Sequence, residues 1–154
     1  MSGGAYAATA GSKIQFAFNV KYNRNKTNLQ GHVNVIFVSG GRTYQIKSTA
    51  LASLGTALRT ANGGSCDGPP SALCIAQAEL RSKANLIDVT NPSAPVSVAG
   101  NLTLRVTATD RGELGSSDSI GITLWNGNTL LLSSEWTGAT TIEGALDGGN
   151  IVVH

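Results

Sequence analysis

Three carboxylates share one short segment of the chain. Asp110, Glu113 and Asp118 lie in the run Asp110-Arg-Gly-Glu-Leu-Gly-Ser-Ser-Asp118. Calcium prefers carboxylate and backbone carbonyl oxygens, and a loop rich in Gly and Ser can supply both. The spacing differs from that of an EF-hand loop, and acidic residues in turns often only cap the chain or face water. The segment therefore predicts either a calcium site or a set of solvated charges.

Two tryptophans, Trp125 and Trp136, are the residues most suited to stack on sugar rings. Trp125 falls out of phase with Ile120, Ile122 and Leu124, so we expect its ring on the opposite face of their strand. That face is either open to solvent or covered by a loop. Exposed coplanar rings would favour a polysaccharide ligand, and packing of both rings into the core is the alternative.

Hydrolytic chemistry would need a nucleophile, a base and a group that orients the base. His32 and His154 are the only imidazoles, and no Ser lies in a Gly-x-Ser-x-Gly turn. A carboxylate pair, either Glu113 with Asp118 or Glu135 with Glu143, is the other option, but a glycosidase pair is defined by a separation that sequence does not give. We therefore expect no catalytic residues and keep a hydrolase as the last alternative.

The two cysteines, Cys66 and Cys74, enclose a turn-rich segment. Gly68, Pro69 and Pro70 lie between them and favour a chain reversal that would bring the sulfurs together. This spacing predicts a disulfide, and disulfides persist in oxidising compartments, so it also predicts export. A pair of reduced, neighbouring thiols is the alternative.

The composition excludes two classes of protein. Charged residues make up 13% of the 154 residues, against about 25% in ordinary globular domains, and the net charge is +2 with no basic run. We therefore expect no nucleic-acid partner. No stretch offers the roughly 20 apolar residues that a membrane span requires.

Alternation of apolar and polar residues indicates the fold. Period-two runs recur along the chain and are separated by turn residues, which predicts an all-β, antiparallel sandwich or barrel of about eight to ten strands. One such run, from Ala76 to Ala84, has a face of small residues, and we expect a bulky side chain such as a tryptophan opposite it. The predicted core consists of Ile14, Phe16, Phe18, Val20, Val35, Leu104, Val106, Ile122, Leu124 and Val153.

Local signals predict two hairpins and leave one segment ambiguous. Ser39-Gly40-Gly41 and Asn126-Gly127-Asn128 each separate two alternating runs, as hairpin turns do. Residues 48–62 place Leu51, Leu54 and Leu58 at helical spacing, yet Ser, Gly and Thr weaken a helix there. We expect a short strand with one helical turn.

Four stretches, taken in order, resemble a known family. They are Gly4-Ala-Tyr6, Phe16-Ala-Phe-Asn-Val-Lys-Tyr22, Thr107-Ala-Thr-Asp110 leading to Asp118-Ser-Ile-Gly-Ile-Thr-Leu-Trp125-Asn126, and Gly148-Gly-Asn-Ile-Val-Val-His154. The set is similar to the small β-domain called post-COAP, found at the end of large exported bacterial proteins. The resemblance implies a carboxy-terminal accessory module and brings no catalytic residues with it.

These observations together give a functional expectation. Residues 1–154 are expected to form one β-domain of a larger secreted or cell-surface bacterial protein, with Met1-Ser-Gly-Gly4 looking like an added start. We expect a non-catalytic structural or adhesive module, whose partners are neighbouring domains, a polysaccharide or further copies of itself. A carbohydrate-binding module using Trp125 and Trp136 is the first alternative.

Overall fold

The computed structural model describes residues 2–9, 12–60, 74–111 and 118–153. These residues form nine β-strands and no helix, which confirms the predicted all-β class. The strands are β1 (Ser2–Thr9), β2 (Ser12–Tyr22), β3 (Leu29–Ser39), β4 (Arg42–Thr60), β5 (Cys74–Asp88), β6 (Val96–Asp110), β7 (Ser119–Asn126), β8 (Thr129–Ser133) and β9 (Gly144–Val152).

All strand pairs are antiparallel, and they belong to one curled sheet. The strand order is β6-β5-β4-β3-β2-β1-β9-β7-β8, with an additional pairing between β6 and β7. One edge of β7 pairs with β6, and its other edge pairs with β8 and with the first two residues of β9. The two ends of the strand order therefore meet at β7.

The core lies on the inner face of this sheet. All ten residues predicted to form the core are buried, and the largest fully buried side chains are Ile and Leu from β2, β4, β5, β6, β7 and β9. Phe16 and Phe18 stack with ring centroids 5.6 Å apart, and Phe37 stacks on its cross-strand partner Tyr44 at 5.3 Å. Burial of these apolar faces is the main favourable term in the stability of the fold.

The expected helical turn after Ser48 is wrong, because β4 continues through that segment to Thr60. The pairing of β4 with β5 shifts register between Ser48 and Ala50 and again between Leu51 and Ser53. Each shift adds one residue to β4, as β-bulges do. The second shift leaves Leu51 and Leu54 both packed against the core although they are three residues apart, and this produces the spacing that resembles a helix.

Both predicted hairpins are confirmed. The turn between β3 and β4 consists of Gly40 and Gly41, with φ of 59° and 75°, and the turn between β7 and β8 begins with Gly127 at φ 57°. Positive φ at these positions suits glycine. At the amino end, Ser2–Thr9 pairs with both β2 and β9, so this segment belongs to the sheet.

Within the described ranges, no helix has the length and hydropathy needed to cross a membrane.

Candidate ligand-binding site

Trp125 lies on the outer face of β7. The inner face of this strand carries Ile120, Ile122 and Leu124, all fully buried. Because side chains alternate along a strand, Trp125 points outward together with Gly121 and Thr123. The sequence predicted this placement from the phase of the apolar residues.

A short hairpin, residues 135–142, covers the outer face of β7. We call it the Trp136 hairpin. Its two arms are joined by the Ile142 N–H donating to the Glu135 carbonyl at 3.0 Å and by a bridge between Trp136 and Thr141. At its tip, the Thr137 N–H donates to the Thr140 carbonyl at 2.9 Å.

Hydroxyl groups fix the Trp136 hairpin against β7. The Thr123 hydroxyl donates to Thr141 Oγ1 at 2.7 Å, and Ser133 Oγ lies 2.7 Å from the same oxygen. Gly121 leaves room for this contact, since a Cβ there would come within 3.4 Å of the Thr141 methyl and 2.8 Å of Thr107 Oγ1. The absence of a side chain at Gly121 therefore lets the hairpin lie close to the sheet.

The Trp136 hairpin brings the two predicted ligand-binding residues together. The Trp125 and Trp136 ring centroids are 5.8 Å apart at an interplanar angle of 73°, which is an edge-to-face arrangement. Trp136 is 39% exposed and Trp125 is half-buried. The rings are therefore not coplanar, the arrangement that would favour a polysaccharide ligand, and neither ring belongs to the buried core. The expectation of a tryptophan opposite the small face of β5 is wrong, because both tryptophans lie on the outer side of the sheet. The core draws its aromatic volume from phenylalanines instead.

Beside the tryptophans, the outer face carries three charged side chains that we call the polar row: Glu79, Arg81 and Arg105. Cross-strand register places Arg105 opposite Thr123, two residues along β6 from Thr103, the partner of Trp125. Glu79 Oε2 accepts from Arg105 Nη2 and Glu79 Oε1 from Arg81 Nε, both at 2.9 Å. These hydrogen bonds, from Arg105 first and then Arg81, lower the pKa of Glu79 to about 2.

The polar row continues into a depression of about 420 Å³ lined by Gly55, Gln77, Glu79, Thr107 and Glu143 among others. Arg105 Nε is buried. In the described part of the chain, it is the only buried side-chain nitrogen or oxygen atom without a hydrogen-bond partner. Sequence reasoning missed the polar row, because its members come from two strands whose register is visible only in the folded sheet. Within a single strand, the only sequence feature that indicated the polar row was the change from a negative charge at position 79 to a positive charge at position 81.

The acidic segment has a structural role in the described residues. Asp118 is fully buried, and its carboxylate accepts the Arg111 N–H at 2.8 Å and the Ile151 N–H at 3.0 Å. Asp110 is also buried and accepts the Val153 N–H at 3.0 Å. The structure thus brings Asp110 and Asp118 to the same part of β9, whereas Glu113 lies outside the described residues.

Among the described residues, no group of three or more potential metal ligands is found. Calcium binding by Asp110, Glu113 and Asp118 therefore stays a prediction.

Of the side chains considered for hydrolysis, Glu135 and Glu143 lie near each other at the base of the Trp136 hairpin, whereas His32 lies on β3. His32 is exposed on β3, opposite Asn19, and His154 lies outside the described residues. The Glu143 carboxylate accepts hydrogen bonds from the Thr109 hydroxyl at 2.6 Å and the Ser119 hydroxyl at 3.0 Å. Glu135 is exposed on the Trp136 hairpin.

Cys74 is buried at the start of β5, opposite Thr60. No cysteine is free in the part of the chain that the structure describes. Cys66 lies outside that part, so the disulfide between Cys66 and Cys74 stays a prediction.

Comparisons of the chain with protein-family models, with curated proteins and with solved structures find no match. The resemblance to the post-COAP domain therefore stays an expectation drawn from the four stretches of sequence.

Proposed function

We propose that this chain is a non-catalytic extracellular module of structural or adhesive kind, which holds a polysaccharide on the outer face of β5, β6 and β7. The observation that carries the proposal is the exposed ring of Trp136, which its hairpin holds against Trp125 beside the polar row. The predicted disulfide and the resemblance to a domain of exported proteins support the extracellular setting.

The chemistry of this surface matches that of a sugar chain. A sugar ring presents an apolar face of C–H groups and an edge of hydroxyls, so it needs both an aromatic surface and hydrogen-bonding groups. Trp136 offers the aromatic surface. Arg81 and Arg105 are each ion-paired with Glu79, so the three side chains already have a preferred orientation before a ligand arrives.

The edge-to-face geometry limits the aromatic contact to a single ring. Trp125 presents its ring to Trp136 and is half-buried, so its main effect is to fix the orientation of Trp136. We therefore expect one stacked sugar at Trp136, with the neighbouring sugars hydrogen-bonded along the polar row toward the depression at Gly55.

Affinity electrophoresis through gels containing soluble polysaccharides of different backbone chemistry tests this proposal. We expect at least one polysaccharide to retard the protein and Trp136→Ala to weaken binding about tenfold, equivalent to roughly 1.4 kcal/mol. Ile142→Ala is the matched control, because Ile142 is 45% exposed on the same hairpin.

Two results would overturn the proposal. One is a failure of the predicted binding: either no gel retards the protein, or every gel that does so retards the wild type and Trp136→Ala equally. The other is release of reducing sugar from a bound polysaccharide, lost in a Glu143→Gln or His32→Ala variant, which would make the chain a hydrolase.

A second candidate function is self-association through β4. β3 pairs with β4 only over Arg42–Lys47, and no described strand pairs with the same edge of β4 beyond that point. The segment 48–58 carries no charge, although charged residues are a common protection of free strand edges. This edge is therefore suited to antiparallel pairing with the β4 edge of a second copy.

Light scattering on wild type and Thr56→Pro tests self-association. The Leu54 carbonyl accepts from the Tyr22 hydroxyl at 3.1 Å and so points away from β5. The Thr56 N–H, two residues on, then points to the same free edge. Proline at position 56 removes an N–H donor from the free edge without removing a hydrogen bond to β5. A dimer that persists in Thr56→Pro would contradict pairing at this edge. A wild type that is monomeric at high concentration would contradict it as well. Thr56→Ala is the control.

A further inference from the structure

A second groove lies on the outer face of the sheet, closer than the polar row to the Asp88 end of β5. We call it the Lys47 groove. Its volume is about 710 Å³, within the range of small-molecule sites. Its apolar lining is Ile36, Ile87, Val89, Pro92 and Pro95, and its polar lining is Thr43, Gln45, Lys47, Asn85 and Ser97.

The wall formed by residues 89–95 is held in place without a ligand. The Val89 N–H donates to the Thr43 carbonyl at 2.8 Å, and the Thr43 N–H donates to Thr90 Oγ1 at 3.0 Å. Asp88 accepts from the Thr90 hydroxyl at 2.6 Å and from Arg42 at 2.9 Å. The wall is therefore already ordered before a ligand binds. Binding then loses little free energy to the ordering of this loop.

Cross-strand register places two rows of side chains on the floor: one has isoleucines on both sides of Gln45, and the other is polar throughout. Ile36, Gln45 and Ile87 are direct neighbours across β3, β4 and β5, and so are Asn34, Lys47 and Asn85. The Gln45 amide donates to Asn34 Oδ1 at 2.9 Å, which orients the Gln45 carbonyl oxygen and the Asn34 amino group away from that bond. One side of the groove is therefore mainly apolar, and the other side presents amide groups and the ammonium group of Lys47.

Lys47 is the one charged residue in the lining, and it is exposed. The ion pairs of the described residues involve Arg42, Arg81 and Arg105, and none involves Lys47. The groove thus has a positive charge at one side without a carboxylate to neutralise it there. A ligand that places an anionic group at Lys47 and an apolar body on Ile36, Ile87 and Pro92 matches both sides.

We infer that the Lys47 groove binds a small amphipathic carboxylate, with the carboxylate at Lys47 and the apolar chain along Ile36, Ile87 and Pro92. This inference does not depend on the polysaccharide proposal. The two surfaces share no residue, so loss of one leaves the other intact.

Titration of the protein with sodium decanoate, followed by backbone amide shifts in NMR spectra, tests the inference. We expect saturable shifts at residues of the groove and a dissociation constant about tenfold larger in Lys47→Gln. Lys83→Gln is the matched control, because Lys83 is an exposed lysine of β5 outside the groove and its removal changes the net charge equally. Decanol should bind more weakly than decanoate.

Three outcomes would overturn the inference: no saturable shift with decanoate, shifts centred elsewhere on the protein, or equal weakening in Lys47→Gln and Lys83→Gln. The last would indicate attraction by net charge alone. An Ile87→Asn variant adds a readout of the apolar side, and affinity for decanoate that is unchanged in this variant would contradict the proposed pose.

Discussion

The carboxylate of Asp118 accepts the backbone N–H of Ile151 at 3.0 Å, which joins the start of β7 to a strand 33 residues further along the chain. The same carboxylate accepts the Arg111 N–H, and the Asp118 carbonyl accepts the Leu146 N–H at 3.1 Å. One buried side chain thus fixes both ends of the acidic segment and the position of β9.

Removal of the charge from Asp118 should destabilise the fold. In Asp118→Asn an amino group replaces one oxygen and faces a backbone donor, which leaves a buried N–H without an acceptor. We expect a loss of about 2–4 kcal/mol in the free energy of unfolding, measured by urea denaturation. Glu135→Gln, at an exposed carboxylate, should change stability by less than about 0.5 kcal/mol. A similar loss in both variants would contradict this role of Asp118.

Replacement of Gly31 by any residue with a side chain should strongly destabilise the fold. Its φ is 122°, and a Cβ there would lie 1.7 Å from the Asn19 carbonyl oxygen. We expect Gly31→Ala to cost more than about 2 kcal/mol. Gly55→Ala is the control, because Gly55 has open space at the Cβ position and no positive φ. Thermal unfolding should show a lower melting temperature in Gly31→Ala and an unchanged or higher one in Gly55→Ala.

The ion pairs of Glu79 predict a specific dependence of stability on pH. The folded-state pKa is lowered to about 2 from an ordinary value of 4.5. The stabilisation is therefore fully present above pH 4.5 and is lost as the pH falls toward 2. Because the Glu79 side chain is 39% exposed, we expect it to contribute less than about 1 kcal/mol. The stability difference between wild type and Glu79→Gln should shrink through this window, and a constant difference would contradict the assignment.

The predicted disulfide can be tested by counting thiols. The unreduced, denatured protein should contain no free thiol, and Cys66→Ser with Cys74→Ser should lower the free energy of unfolding by roughly 2.5 kcal/mol through loss of the loop constraint. Reduced wild type is the control and should match the double variant. Two titratable thiols in the unreduced protein would refute both the bond and the inferred export.

The predicted calcium site can be tested by thermal unfolding. If Asp110, Glu113 and Asp118 bind calcium in the native state, the melting temperature should rise between chelator and millimolar calcium by mass action. Glu113→Gln should reduce that rise. Melting curves that coincide with and without calcium would contradict the predicted site.

The sequence predicted the inner face of the sheet well, because burial imposes a period of two that each strand displays by itself. Ile122 and Leu124 could be placed inside, and Trp125 outside, from one run of eight residues. Bulges break this period, so Leu51 and Leu54 gave the spacing of a helix although both lie on one face of β4.

Contacts between distant segments could not be predicted in the same way. The pairing of Trp125 with Trp136 depends on where the 135–142 hairpin folds, and the polar row depends on the register between β5 and β6. Neither is encoded in the local pattern of one strand. The buried roles of Asp110 and Asp118 were missed for the same reason, since their backbone partners are 43 and 33 residues away.

The chain leaves and rejoins the same edge of β7 on either side of the Trp136 hairpin. The Ser134 N–H donates to the Ile122 carbonyl, and Gly144 pairs with Ile120. β8 and β9 thus behave as one strand interrupted by the Trp136 hairpin. Such an insertion can be lengthened, shortened or exchanged without moving the register on either side, so the surface proposed to hold a ligand can diversify while the scaffold below it stays constant.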